Sequence, residues 1–305
     1  MMRPLATLGN VNVDLILGPL TPWPVPGSEV LCPEEDLRVG GAAGNAALAW
    51  QAMGLPFQCV ASTGSDPFGD WLRAGLGAAS ARWTRSAGAT TISVGVTHPG
   101  AERTFLTTRG HLPEFGWADV EAQLDWTALR GGTLLLCGCF LMDRLSADYD
   151  RLFTRAEAEG VAIALDTGWP LEGWTEAIRA RALDWVAHCR LVLFNEVEAT
   201  SLTGLSDPEA AAEALARRMP EGAIAVVKLG PRGALVHRGG ISWRACAPAV
   251  AVKDTIGAGD VFNAAFLAAL ARDADLPAAL AQAVATASRA VSTAPRCYIP
   301  EELSA

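Results

Sequence analysis

The 305-residue sequence predicts an α/β fold with a mostly parallel sheet and a second, smaller sheet beside it. Three observations support this prediction. Short runs rich in Val, Ile and Leu alternate with amphipathic stretches, which is typical of βαβ units. Half of the residues are hydrophobic, so the chain can bury a large core. Two segments interrupt the alternation, and their patterns are those of hairpins and Pro-rich connections.

The elements of the main sheet and its helical layers follow from these runs in chain order. The predicted strands are Leu5–Gly9, Phe57–Ala61, Thr133–Cys139, Val161–Asp166, Leu191–Asn195 and Ala223–Lys228. The predicted helices are Gly44–Met53, Phe68–Leu76, Ala118–Leu124, Ala147–Glu159, Pro208–Arg218, Ala258–Ala271 and Pro277–Thr293.

The two interrupting segments are predicted to form one small antiparallel sheet. Residues 11–37 carry five prolines, and residues 90–108 alternate on both sides of a Pro99-Gly100 turn. Such a sheet serves either as a lid over a cleft or as a structural flap or dimer contact, and the pattern leaves both readings open. The remaining residues, 1–10, 38–89 and 109–305, are predicted to form the core.

Charge and composition exclude several classes of protein. The net charge is −9 and no basic stripe is present, which argues against a nucleic-acid partner. The longest apolar run, near Thr133 to Met142, is about half the length of a membrane-spanning helix. The amino terminus lacks the pattern of a signal peptide. Seven scattered cysteines indicate free thiols, so we expect a cytoplasmic enzyme.

The spacing of cysteine and histidine indicates no metal site. Cys137 and Cys139, on one face of a predicted strand, are interpreted as two small core residues. The histidines are predicted to be surface or loop residues: His98, His111, His188 and His237.

The stretch from Asp254 to Asn263 carries the strongest chemical signal. Gly257, Ala258 and Gly259 have almost no side chains and precede a helix, so an anion can approach their backbone N–H groups. Asp260 follows directly. A carboxylate beside an anion hole suits a base that accepts a proton from an attacking alcohol. A helix cap is the comparable alternative.

A second Gly-rich turn runs from Gly40 to Asn45 and opens a helix. Its spacing does not match the dinucleotide fingerprint, and it does not follow the first strand. Close approach of a ligand to the backbone, with Asn45 forming hydrogen bonds, is one interpretation. Tight packing of a helix on a strand is the other.

Polar residues follow three predicted strands. Asn12 and Asp14 alternate at the end of the first strand, so they share a face and can bind vicinal hydroxyls. The residue types by themselves favour a turn-forming cluster. Asn195 and Glu198 follow a buried strand, where Glu198 can order Mg²⁺ through water or belong to a helix N-terminus. The run Lys228-Leu229-Gly230-Pro231-Arg232-Gly233 allows a nucleotide to lie on its backbone, or simply makes a turn.

Taken together, these motifs resemble the ribokinase-like (PfkB) family of carbohydrate and nucleoside kinases. They occur in the family's order: Asn12-x-Asp14, Gly40-Gly41-(x)3-Asn45, Asn195-x-x-Glu198, Lys228-x-Gly230-x-x-Gly233 and Asp254-Thr255-x-Gly257-Ala258-Gly259-Asp260. The resemblance implies a three-layer α/β/α sandwich with a small β-sheet lid, and transfer of the ATP γ-phosphate to a hydroxymethyl group. Small molecules, a sugar or nucleoside acceptor and ATP, are the implied partners.

The resemblance also implies residue roles. Asp260 is the base, and Gly257, Ala258 and Gly259 form the anion hole. The acceptor is bound by Asn12, Asp14, Gly41, Asn45 and Arg103. The nucleotide lies near Asn195, Lys228, Gly230 and Gly233. Glu198 serves Mg²⁺ through water. A K⁺ site at the backbone carbonyls of Asp254 and Thr255 is a further expectation, left open because the segment Thr293-Ala294-Pro295-Arg296 lacks the usual Gly-Ala.

Departures from the family pattern concern the acceptor. Ala42 stands where ribokinases carry Lys, and Asp166-Thr167-Gly168-Trp169-Pro170 replaces the Asp-x-Asn-x-Arg of fructokinase relatives. We therefore expect a sugar kinase of unassigned acceptor. A nucleoside kinase and a non-catalytic binding member are the alternatives. The resemblance also allows a homodimer through the edges of the lid.

Overall fold

The computed structural model describes residues 2–99 and 103–299. Its strands are β1 Leu5–Leu8, β2 Asn12–Gly18, β3 Glu34–Gly40, β4 Gln58–Val60, β5 Ser62–Gly64, β6 Thr84–Ser86, β7 Ile92–Thr97, β8 Arg103–Thr107, β9 Thr133–Cys137, β10 Ala162–Asp166, β11 Leu191–Asn195, β12 Ile224–Lys228, β13 Ala234–Arg238 and β14 Ile241–Ala245. Its helices are α1 Ala42–Ala52, α2 Pro67–Leu76, α3 Trp117–Gln123, α4 Trp126–Leu129, α5 Asp143–Ser146, α6 Tyr149–Glu159, α7 Glu176–Ala187, α8 Glu196–Thr203, α9 Pro208–Ala216, α10 Ala258–Ala271 and α11 Leu276–Ser292.

Eight strands form the main sheet, in the order β14-β13-β12-β11-β10-β9-β1-β4. The strands from β12 to β4 are parallel, and β13 and β14 add an antiparallel edge. One apolar cluster buries α1, α2, α10 and α11 against one face of the sheet, and a second covers the other face with the helices from α3 to α9. The predicted α/β fold with a mostly parallel sheet is confirmed.

Helix α10 is the most deeply buried of the helices that bear on the site. Ten of its fourteen residues are buried, and most of them are Ala, Leu, Val or Phe. It packs against α1 and α11. Small side chains let the helices approach closely, so the first turn of α10 is held by a packed interior.

A second sheet contains β3-β2-β7-β8, built from the two segments that interrupt the alternation. The expectation that it is purely antiparallel was wrong, because β2 pairs with β7 in parallel. The chain leaves this sheet after β3, passes through α1 and α2, and returns along β7 in the direction of β2. The lid boundary predicted at residue 37 falls inside β3, and the predicted Pro99-Gly100 turn extends into residues outside the described ranges.

Some local predictions were wrong. His237 is buried within β13, whereas His111 lies in a loop as predicted but is buried there, and burial lowers its pKa to about 4. Cys137 and Cys139 are both core residues as predicted, but β9 ends at Cys137, so they do not share a strand. Across the described ranges, no helix combines the length and apolar character needed to cross a membrane.

Candidate active site

The loop before α10 has the geometry of an anion-binding turn. Gly257 is the N-cap, with φ +75° in the left-handed region. A Cβ at this position would lie 2.7 Å from Nδ2 of Asn45, so a larger residue would collide as well as strain the backbone. The backbone N–H groups of Ala258 and Gly259 belong to the first turn of a fourteen-residue helix, where the dipole favours an anion.

Asp260 lies in that first turn and is partly buried. Its Oδ2 accepts a hydrogen bond of 2.8 Å from Nδ2 of Asn45. Within the described part of α10, no side chain forms an N-terminal capping hydrogen bond. The helix-cap interpretation of Asp260 is therefore not supported, and its carboxylate is instead engaged with a residue of α1.

The surroundings of Asp260 bring its pKa close to neutrality. The pKa of this carboxyl is raised from 3.8 to about 7, chiefly by burial and also by the negative charge of Asp166. The hydrogen bond from Asn45 and the positive charge of Lys228 act in the opposite direction. A carboxylate with a pKa in this range is matched to accepting a proton from an alcohol at physiological pH.

Asn12 and Asp14 alternate along β2 as predicted, but β2 is a strand of the second sheet and not the end of the first strand of the main sheet. Nδ2 of Asn12 donates to Oδ1 of Asp14 over 2.6 Å, and Nδ2 of Asn10 donates to Oδ1 of Asn12 over 3.0 Å. Burial raises the pKa of Asp14 to about 6, while the charge of Arg38 lowers it. The chain of amides thus fixes the orientation of a buried carboxylate rather than forming a surface turn.

The Gly40-Gly41 pair makes room for this carboxylate and its neighbours. A Cβ on Gly40 would lie 2.1 Å from the carboxyl carbon of Asp14. Gly41 has φ +83°, and a Cβ there would lie 2.3 Å from the carbonyl oxygen of Asn10. Both positions therefore require glycine, because a side chain at Gly40 would collide with the Asp14 carboxylate and one at Gly41 would collide with the backbone of Asn10.

The sequence analysis missed a buried polar triad of Lys228, Asp166 and Asn263 beside the carboxyl ends of β10 and β12. Lys228 Nζ donates to Oδ2 of Asp166 over 2.7 Å and to Oδ1 of Asn263 over 3.1 Å. Nδ2 of Asn263 donates to the same Asp166 oxygen over 2.5 Å. Lys228 Nζ is 3.4 Å from the position of a Cβ on Gly259, so a positive charge stands beside the anion-binding turn.

Two signals for this triad were available in the sequence. Asp166 ends a buried strand, which in a parallel sheet places it at the ligand-binding edge. Asn263 follows Asp260 by three residues, so both side chains lie on one face of α10.

Asn195 and Glu198 form a reciprocal capping box at the start of α8. The N–H of Glu198 donates to Oδ1 of Asn195 over 2.9 Å, and the N–H of Asn195 donates to Oε2 of Glu198 over 2.8 Å. Glu198 is 4% exposed. Burial raises the pKa of its carboxyl to about 7, and the negative charge of Asp166 adds to this effect. Glu198 therefore belongs to a helix N-terminus, as one of the two interpretations predicted. Its carboxylate also interacts electrostatically with Asp166 and Lys228 of the triad.

Gly230 and Gly233 differ in what they require. A Cβ on Gly230 would meet no atom within 4 Å, whereas a Cβ on Gly233 would lie 1.9 Å from the carbonyl oxygen of Ala245 in β14. Both glycines have a left-handed backbone, with φ +58° at Gly230 and +91° at Gly233. Close packing of β14 therefore accounts for Gly233, and the position of both residues near a nucleotide stays a prediction.

A cavity of about 1040 Å³ lies between the second sheet and the loop before α10. Asn45, Arg38 and Arg103 line it from the side of α1 and the second sheet. Asp254 and Thr255 line it from the opposite loop. Arg103, predicted to reach a ligand, donates from Nη1 to Oγ1 of Thr255. The size matches that of sites for small metabolites.

The chain is similar in sequence and in structure to known kinases. A ribokinase from Arabidopsis thaliana is 25% identical over 299 residues, which span 94% of this chain and 76% of the relative. The structure of Arabidopsis thaliana ribokinase complexed with ribose and ATP matches with a TM-score of 0.79 at 22% identity, over 100% of this chain and 97% of that one. Adenosine kinase from Sinorhizobium meliloti gives a TM-score of 0.80 at 20% identity, over 100% and 98%.

These structural likenesses show a ribokinase-like fold. The sequence profile of the pfkB family carbohydrate kinases matches residues 2–300. Because this match spans nearly the whole chain, the protein belongs to the pfkB carbohydrate kinase family.

Proposed function

We propose that the protein is an ATP-dependent kinase that transfers the γ-phosphate to a hydroxymethyl group of a small sugar or sugar-like metabolite. One observation carries the proposal: Asp260 adjoins the anion-binding turn, bonds to Asn45 of the cavity, and has a pKa raised to about 7. In the reaction, Asp260 takes the proton of the acceptor hydroxyl as its oxygen attacks phosphorus. The bond from phosphorus to the bridging oxygen breaks, and ADP leaves.

The acceptor is proposed to bind between β2 and α1. The Asp14 carboxylate accepts hydrogen bonds from two neighbouring hydroxyls, and Asn12 keeps it oriented. Gly41 allows the ligand to approach the backbone, while Asn45 joins the acceptor site to the base. Arg103 reaches across the cavity from β8 and supplies a donor for a polar substituent. Such a polar site rejects analogues that lack the hydroxyls.

The nucleotide is proposed to extend from the anion-binding turn along the carboxyl ends of β11 and β12. The backbone N–H groups of Gly257 and Gly259 hold the γ-phosphate, while the N–H of Ala258 donates to the carbonyl oxygen of Thr255 and shapes the turn. Asn195, Lys228, Gly230 and Gly233 lie toward the rest of ATP, with Lys228 neutralising charge beside the turn.

Mg²⁺ fits the electrostatics of this region. Burial is the main cause of the raised pKa of Glu198, and the negative charge of Asp166 is the second. A divalent cation that binds with ATP would offset this negative charge. Glu198 would reach the ion through water, which suits the hydration that Mg²⁺ retains. The cation supplies neutralisation of the phosphate charge.

The second sheet is proposed to act as a lid and as a dimer contact. Its edge strands are β3 and β8, and every residue of β8 is exposed. On the face opposite Asp14, the register aligns Leu37, Leu15, Val94 and Leu106 across all four strands. A second copy of the chain that covered this apolar row and these edges would remove both from water.

The test is ADP formation from Mg-ATP with panels of monosaccharides, sugar derivatives and nucleosides. We expect turnover with a sugar-like acceptor. Turnover with nucleosides alone would replace the sugar assignment by that of a nucleoside kinase, for which the cavity also has room. A protein that binds ATP and an acceptor without turnover would be a non-catalytic member.

Asp260→Asn separates catalysis from binding. We expect phosphoryl transfer to fall by about 100-fold or more, because the base is lost while the shape is kept. ATP binding, measured by calorimetry, should be retained. Asp70→Asn is the matched control, since Asp70 is an exposed carboxylate in the first turn of α2. Equal rates in Asp260→Asn and wild type would contradict the assignment of the base.

A further inference from the structure

Three arginine side chains converge on two consecutive residues before the anion-binding turn. Nη1 of Arg38 and Nη2 of Arg296 each lie 2.5 Å from the same oxygen, Oδ2 of Asp254. Arg103 donates to Oγ1 of Thr255. The arginines come from β3, from β8 and from the segment after α11, so three separate parts of the chain meet at this loop.

The Asp254 carboxylate links these arginines to the loop backbone. While Oδ2 receives both guanidinium groups, Oδ1 accepts a hydrogen bond of 2.8 Å from the N–H of Ile256. Ile256 directly precedes Gly257, the N-cap of α10. A shift of Asp254 would therefore be transmitted through one hydrogen bond to the turn that holds the γ-phosphate.

The K⁺ site that the family resemblance implies does not fit these residues. The negative charge of Asp254 is already paired with two guanidinium groups. The carbonyl oxygen of Thr255 accepts a hydrogen bond of 3.2 Å from the N–H of Ala258, and its hydroxyl is bonded to Arg103. A further cation at this loop would be repelled by three fixed positive charges.

We propose that Arg38 and Arg296 replace the monovalent cation in this protein, holding Asp254 and hence the anion-binding turn in place, so that phosphoryl transfer does not depend on K⁺. The inference rests on the proposed function in one respect, because it takes this turn as the phosphate site. Arginine suits the task, since its charge is permanent and its planar group offers several donors. Arg38 and Arg296 act as positioning residues through Asp254.

The first test compares K⁺ with a cation too large for such a site. ADP formation by the wild-type enzyme is measured while KCl replaces tetramethylammonium chloride at constant ionic strength. We expect kcat to change by less than about twofold, because the charge that K⁺ would supply is already present. A stimulation of about tenfold or more by K⁺ would overturn the proposal.

The second test removes the built-in charges. In the double variant Arg38→Met/Arg296→Met, we expect kcat to fall by about tenfold or more, since two charge-assisted hydrogen bonds are lost. KCl should restore part of the loss and raise the Tm of this variant, whereas tetramethylammonium chloride should do neither. Unchanged kcat, or a loss indifferent to K⁺, would overturn the proposal.

Conservative and distant variants complete the design. Arg296→Lys keeps a positive charge, so it should stay independent of K⁺ and retain more activity than Arg296→Met; equal losses would count against the proposal. It also provides a readout if the double variant fails to fold. Arg130→Met is the matched control, because Arg130 pairs with Glu159 on the surface away from the loop.

Binding measurements keep this inference separate from the proposed function. Titration with Mg²⁺ and a non-hydrolysable ATP analogue needs no acceptor. If no acceptor is phosphorylated, yet binding is independent of K⁺ in wild type and dependent on it in the double variant, the positioning role stands and the proposed function fails. If turnover occurs and K⁺ is required, the proposed function stands and the positioning role of the arginines fails.

Discussion

The residues around Asp260 set the pKa of its carboxyl. Burial and the charge of Asp166 favour the protonated form, while Asn45 and Lys228 favour the ionised form. The balance leaves the pKa at about 7. A carboxylate with an ordinary pKa would be ionised at neutral pH but a weak proton acceptor, so the raised pKa improves the driving force for proton transfer.

The pH dependence of the reaction should report this pKa. We expect kcat/KM to rise with pH and to level off above about 7, because only ionised Asp260 accepts the proton. In Asn45→Leu the midpoint should move to higher pH, since the hydrogen bond that stabilises the carboxylate is lost. A profile that is flat through neutral pH would contradict this prediction.

The same pKa has a cost in stability. The native state binds the Asp260 proton more tightly than the unfolded chain between the ordinary pKa of 3.8 and the raised pKa of about 7, so stability is lost as pH rises through that window. Asp260→Asn removes the ionisation. We expect the Tm of the variant to exceed that of wild type by roughly 2 °C above neutral pH.

That gain should disappear near pH 4, where Asp260 of the native wild type is protonated. Thermal melting followed by circular dichroism at both pH values makes the comparison. Asp70→Asn, at an exposed position, should show no such pH-dependent gain. A Tm difference of the same size at both pH values would mean that the ionisation of Asp260 is not its cause.

At the scale of elements, the ladder between β2 and β3 builds the acceptor side of the site. The register places Asp14 opposite Arg38 and Asn12 opposite Gly40. Partners in a ladder share a face of the sheet, so the Asp14 carboxylate, the Arg38 guanidinium and the Asn12 amide lie on one face, and Arg38 lines the cavity. Strand β2 thus contributes the carboxylate that we propose binds the acceptor hydroxyls, and β3 contributes one of the arginines that pair with Asp254.

Gly40→Ala tests this arrangement. A methyl group at this position would overlap the Asp14 carboxyl carbon at 2.1 Å, so the carboxylate must move. We expect KM for the acceptor to rise by about tenfold or more, because the hydrogen bonds to its hydroxyls are lost. Steady-state kinetics with a varied acceptor measure this, and KM for ATP should change little.

Gly88→Ala is the control for that substitution. A Cβ on Gly88 would be 3.4 Å from its nearest neighbour, which is ordinary contact, and its backbone is not left-handed. If Gly40→Ala and Gly88→Ala gave the same KM, the contact between Gly40 and Asp14 would have no role in acceptor binding.

The sequence predicted the elements whose apolar residues form a continuous run and missed elements in which they are dispersed. The strand Leu191–Asn195 is reproduced to the residue, and α10 likewise. Helix α7 was missed because arginines and alanines are spread around it without a distinct apolar stripe. The hairpin of β13 and β14 was missed although Gly239 and Gly240, both with positive φ, form its turn.

The residues of the candidate site also fall into those that the sequence could reveal and those that it could not. Residues within one motif, such as Gly257 to Asp260, could be found because their spacing alone carries the chemistry. The contact of Lys228 with Asp166 joins residues 62 apart, and that of Arg38 with Asp254 joins residues 216 apart. Pairings over such separations depend on how the strands are ordered in the sheets, which no local period contains.

At the scale of the whole molecule, the second sheet exposes apolar side chains on both of its edge strands. Leu37 and Leu106, on its two edge strands, are 47% and 56% exposed, and they belong to the apolar row that crosses the sheet. Natural sheets rarely leave such edges uncovered. A second copy of the chain is the occupant that we propose for this surface.

Sedimentation velocity of Leu106→Lys tests the dimer. We expect wild type to sediment as a dimer and the variant to shift toward the monomer, because a charge would be placed in the covered row. Leu171→Lys is the control, since Leu171 is 72% exposed but lies outside the second sheet. A wild type that stays monomeric at high concentration would contradict the proposal.

Helix α10 has a consequence for how this enzyme loses activity on heating. Asp260, the proposed base, lies on the first turn of a helix whose later turns are almost entirely buried. Amide hydrogens in such a segment exchange with solvent only when the whole domain opens. Proton exchange along α10 should therefore be among the slowest in the chain, and Asp260 should keep its place until the core itself gives way.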